Sequence, residues 1–83
     1  MIEIAFGKMM NKLVKSNSSF IIQSINLDGD SEEIYNMIDS FCDVNNSTNK
    51  EWEFGVSNVG DSNVFEIGLS RIIYAECEGF KTL

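Results

Sequence analysis

Ile34, Met37, Ile38, Phe41 and Cys42 recur at i, i+3, i+4, i+7 and i+8, the apolar stripe of a helix that must bury one side. Asp30 stands where an N-cap belongs, and Glu33, three residues on, completes the pattern of a capping box. Asp30, Glu32 and Glu33 also suit the positive end of the helix dipole. The spacing predicts a helix over 31–44, ended by the run Asn45-Asn46-Ser47-Thr48-Asn49. A one-sided helix of this kind needs a partner surface.

Period-two segments supply it. Residues 20–27 are rich in β-branched and aromatic side chains, with Ile21, Ile25 and Leu27 on one face, and Asp28-Gly29-Asp30 turns the chain. Trp52, Phe54 and Val56 alternate with Glu53 and Gly55, and Phe65, Ile67 and Leu69 alternate again beyond a turn at 58–63. Segments 51–57 and 64–70 are expected to pair as a hairpin. Near the start, Ile2, Phe6, Met9, Met10, Leu13 and Val14 follow helical spacing, which predicts a helix over 3–16. A short strand at 1–6 is the alternative, because Ile2, Ile4 and Phe6 alternate and Gly7 disfavours a helix interior. The stretch 72–77 reads as a further strand, with a short helix between Ser70 and Gly79 as the alternative. The whole predicts one α+β domain spanning 1–83: an antiparallel sheet of three or four strands with two helices packed on one face.

Length allows nothing larger. A chain of 83 residues builds one core and buries only about 60–65% of its unfolded surface. Cys42 and Cys77 are too few for the disulfide framework of a small secreted domain. The first residues lack a basic segment followed by an unbroken apolar run, and no stretch nears the roughly 20 apolar residues of a membrane span. The expectation is a cytoplasmic protein.

Catalysis is not expected. Histidine is absent, which removes the commonest general acid–base residue. Cys42 falls on the buried stripe, and Cys77 between Glu76 and Glu78 should be a poor nucleophile. Gly55, Gly60 and Gly68 match no phosphate-binding spacing. Residues 28–32 resemble the opening of a calcium loop, but its sixth position is Glu33 and its twelfth Asp39, where glycine and glutamate belong. No metal site and no cofactor are expected.

Charge is the informative feature. Thirteen acids against six bases give a net charge of −7, which disfavours direct contact with nucleic acid or an anionic membrane. Residues 20–49 hold Asp28, Asp30, Glu32, Glu33, Asp39 and Asp43 without one base. Glu32, Asn36, Asp39 and Asp43 fall at i, i+4, i+7 and i+11, a stripe opposite the buried one and roughly 16 Å long. Successive positions of the stripe lie about 4.5–6 Å apart along the axis, near the spacing of phosphates on one nucleic-acid strand, and three of the four are carboxylates. A solvated face would also be polar, but such faces usually mix signs, and this helix carries no lysine.

A short acidic chain rich in Asn and Ser, with the stripe Glu32, Asp39 and Asp43, resembles the small inhibitors encoded by bacteriophages, including anti-CRISPR proteins. That class shares no fold. The resemblance implies a partner with a basic nucleic-acid-binding surface, such as a CRISPR effector. The expected binding patch is Asp28, Asp30, Glu32, Asn36, Asp39 and Asp43, extended by Glu51 and Glu53 on the neighbouring strand. The alternative is a structural or assembly subunit, joined to copies of itself through an exposed strand edge.

Overall fold

Phe6, Met9 and Leu13 project from one side of the first helix, α1 (Ile2–Ser16), and all three are buried. Their 3.6-residue period prevails over the alternation of Ile2, Ile4 and Phe6, so the strand alternative at 1–6 is excluded. Asn17 ends α1 in the left-handed region (φ 56°), where its N–H donates to the Leu13 carbonyl. Asparagine tolerates that conformation better than most residues. The computed structural model describes residues 1–60 and 62–72.

Strand β1 (Phe20–Asn26) follows, then α2 (Ser31–Thr48), β2 (Trp52–Asn58) and β3 (Val64–Arg71). The sheet is antiparallel throughout, in the order β1-β3-β2. The expected hairpin pairs Phe54 with Leu69 and Val56 with Ile67, while Ile21 lies opposite Leu69 on the other side of β3. Trp52, Phe54, Phe65, Ile67 and Leu69 therefore share one buried face, and both helices cover it. The predicted α+β architecture, with three antiparallel strands and two helices, is the one observed. The candidate strand or helix at 72–77 lies, apart from Ile72, outside the described residues.

The core centres on three rings. Phe6 stacks on Phe41 (centroids 5.6 Å apart, planes at 15°), and Phe54 meets Phe6 edge-on at 5.1 Å and Phe41 at 6.3 Å. One ring each from α1, α2 and β2 thus interlocks the two layers, in geometries that aromatic quadrupoles favour.

Two expectations need correction. Helix α2 continues to Thr48, four residues past the predicted end. The asparagine run does not stop it, because these side chains find partners while the backbone stays helical. Asn45 Nδ2 donates to the Phe41 carbonyl, and Asn46 reaches the backbone of Phe54. The apolar stripe of α2 is also narrower than its spacing implies. Ile38 and Cys42 are buried and Ile34 and Phe41 half-buried, but Met37 is 56% exposed. Met37 points aside from the ring stack, into a cleft it shares with Met1, Ile2, Ala5, Ile25 and Leu27.

Candidate functional site

Helix α2 is fixed at both ends. Asp30 caps its start, its Oδ1 accepting from the N–H groups of Glu32 at 3.0 Å and Glu33 at 3.2 Å. The reciprocal bond of a capping box, from the Asp30 N–H to the Glu33 carboxylate, is not formed. At the far end the Asn46 side chain binds the backbone of β2. Held this way against β2, α2 turns Glu32, Asn36 and Asp43 outward, all exposed, with Asp39 half-buried on the flank of the same face.

The structure brings together part of the predicted patch. Glu32, Asn36, Asp39 and Asp43 share the outer side of α2, with Asp28 and Asp30 at its N-terminal approach. Among the described residues no lysine or arginine nitrogen lies within 4.0 Å of any of these carboxylates, and the last turn of α2 has no basic residue. The unneutralised C-terminal dipole adds to the negative potential there. Asp30 serves the helix cap, so its charge is partly engaged by two N–H donors. Among the described residues no cluster of three metal-ligating side chains exists.

Glu53 does not join that face. It pairs with Ser70 and alternates with the buried Trp52 and Phe54, so it projects from the side of the sheet turned away from both helices. Glu51 precedes β2, where it is exposed and its carbonyl accepts from the Ile72 N–H. The sequence placed Glu51 and Glu53 beside the helix; the pleat places Glu53 behind the sheet.

Cys42 lies beneath the acidic stripe. It is 2% exposed, and burial, then the nearby carboxylates of Asp39 and Asp43, pushes its thiol up to about 11. A neutral buried thiol is a packing group rather than a nucleophile, as its place on the apolar stripe implied.

A second surface was not anticipated. No described element covers the sheet face away from the helices, and Phe20 and Ile22 on β1 are 63% and 61% exposed there. In the register, Phe20, Ser70 and Glu53 form one row across the sheet, Ile22, Gly68 and Gly55 the next, and Ser24, Glu66 and Ser57 a third. The glycine row floors a shallow trough of about 370 Å³. Its signal in the sequence was the β1 alternation: placing Ile21, Ile25 and Leu27 inward leaves Phe20 and Ile22 outward.

No protein-family model matches this chain, and neither the curated proteins nor the solved structures yield a match. No helix among the described residues is long and apolar enough to cross a membrane.

Proposed function

We propose that this protein acts by binding a basic protein surface through the outer face of α2, as an inhibitor that occupies the nucleic-acid-binding site of its partner. One observation carries the reading: Glu32, Asp39 and Asp43 line one side of α2 without a cationic neighbour within ion-pair distance among the described residues. Carboxylates at three of four successive turns offer an Arg- and Lys-lined groove a charge density approaching that of a phosphate backbone. Such complementarity speeds association and excludes wrong partners. A CRISPR effector or another bacterial defence enzyme, met by a phage-encoded inhibitor in the host cytoplasm, is the partner class that fits.

The test is capture from bacterial lysate, followed by binding measurements on the partner identified. Glu32→Lys with Asp43→Lys should abolish binding without unfolding the protein, since both side chains are exposed. Affinity should fall as salt rises from about 50 to 500 mM, because screening shortens over that range, and nucleic acid should compete. Salt-independent binding that survives both reversals would refute the reading.

A second reading, self-assembly through a strand edge, has one specific observation behind it. The first half of the outer backbone of β2 is engaged by asparagines, Asn49 Oδ1 accepting from Trp52 N–H and Asn46 bridging Phe54. On β1 no described residue engages the outward backbone of Phe20, Ile22, Ser24 or Asn26. An unpaired edge of this length is a template for another strand. Light scattering of the purified protein decides: a monomer at about 100 μM, a concentration at which a contact of micromolar affinity would be filled, excludes it.

A further inference from the structure

Gly55 and Gly68 face each other across β2 and β3, at the centre of the sheet face away from the helices. Neither has a positive φ. A Cβ built on Gly55 meets nothing within 4 Å, and one on Gly68 makes only ordinary contacts, at 3.8 and 3.9 Å to Ile22 and Ile21. The fold would thus accept a side chain at both positions, and glycine weakens a strand interior. The register runs unbroken through both glycines, so neither marks a bulge, and close approach by a ligand or another backbone is a further reason for glycine in a strand. Beside this floor stand Phe20 and Ile22, both exposed.

The charges around the trough select its occupant. Glu53 lies in the row on one side of the glycines and Glu66 in the row on the other, both exposed. No lysine or arginine projects from this face of the three strands. The strands' one basic residue, Arg71, sits opposite Trp52 on the helix-covered side, its guanidinium 4.6 Å over the indole ring. A second copy docked face to face would set these carboxylates against their equivalents. The chain's own residues 73–83 carry Glu76 and Glu78 against Lys81, a poor match to an acidic rim.

We propose that this face is a docking surface for an extended segment of a basic partner protein, whose apolar side chain enters the glycine-floored trough between two flanking lysines or arginines. Residues i, i+2 and i+4 of an extended chain share one face, about 6.6–6.8 Å apart. That is the spacing of the Glu53, glycine and Glu66 rows, which lie two strand residues apart. The apolar side chain rests against Ile22, and the flanking cations reach the two carboxylates. The surface shares no residue with the outer face of α2 and stands or falls apart from it.

The test uses the full-length isotope-labelled protein, titrated with the synthetic peptide Ser-Lys-Thr-Leu-Thr-Lys-Ser and with a control carrying serine for leucine. Amide shifts should centre on Ile22, Gly55 and Gly68, with the leucine peptide bound about tenfold more tightly than the control, the scale of one buried apolar anchor. Gly55→Val fills the trough and should remove that preference while the melting temperature stays level or rises, since valine favours strands. Glu53→Gln with Glu66→Gln should weaken both peptides by a similar factor. Equal affinity for the two peptides, or shifts confined to α2, would overturn the proposal. So would a dimer abolished by Ile22→Ser, or NOEs in the free protein from the Ile22 methyls to residues 73–83, because each gives the trough another occupant.

Discussion

Asn46 and Phe54 are joined by a two-point bridge: Asn46 Nδ2 donates to the Phe54 carbonyl at 2.9 Å, and Asn46 Oδ1 accepts from the Phe54 N–H at 2.7 Å. The carboxamide imitates the neighbouring strand that β2 lacks on its outer side. It fastens the last turns of α2 to the sheet and satisfies backbone groups that would otherwise be open to another chain.

Asn46→Ala should therefore cost about 1–3 kcal/mol, the net worth of two hydrogen bonds at about 0.5–1.5 kcal/mol each. Asn46→Asp keeps the acceptor but sets a carboxylate oxygen against the Phe54 carbonyl near the negative end of the helix dipole, and should cost at least as much. Urea denaturation gives the stabilities, and hydrogen exchange at the Phe54 amide reports the bridge directly. A change below about 0.5 kcal/mol, the level of an ordinary surface substitution, would show that the bridge does not hold α2 to the sheet.

The ring cluster predicts an order of mutational cost. Phe6 is 2% exposed and touches both other rings, so Phe6→Ala should cost about 3–5 kcal/mol. Phe41 is only half-buried, and Phe41→Ala should cost less. Denaturant midpoints that place the two in the reverse order would misassign the centre of the core.

Gly7 lies inside α1, and a Cβ built there meets nothing within 4 Å. Gly7→Ala should stabilise the protein by about 0.5–1 kcal/mol, by limiting the unfolded chain's freedom at a position already helical. Thermal melts suffice, and a lower melting temperature would contradict the helical geometry at this residue.

Cys42 sets an alkaline dependence. Its thiol is pushed up to about 11 by burial and by the adjacent Asp39 and Asp43, whereas the unfolded thiol ionises near 8.5. Between those values the unfolded state loses a proton that the folded state keeps, so stability falls as pH rises. The contribution is fully present below about pH 8 and is lost through about pH 11. Relative to wild type, Cys42→Ala should therefore be least disadvantaged at high pH. Urea melts of both proteins at about pH 7.5 and 10.5, either side of the ordinary thiol value, measure this, and a constant difference between them would refute it.

Local periodicity determined the elements. The 3.6-residue recurrence of Phe6, Met9 and Leu13 and of Ile34, Ile38 and Cys42 gave two helices, and alternation gave three strands, because these signals reside in neighbouring residues. Charge placement on α2 was legible for the same reason: Glu32, Asp39 and Asp43 share a face by helical geometry alone. Tertiary structure decided what periodicity cannot carry. Asn46 extends α2 because Phe54, eight residues on, supplies its partners, and a run of asparagines read locally looks like a helix stop. Met37 keeps its place on the apolar stripe but not its burial, since α1 and α2 meet through Phe6 and Phe41 and leave it to one side. Glu53's place behind the sheet follows from its alternation with Trp52 and Phe54, but Gly55, Gly68 and Ile22 form one row only because β3 takes the middle of the sheet and fixes the register of its neighbours. Strand order and register are contacts between residues distant in the chain, set by how the buried faces fit together, and no local period encodes them.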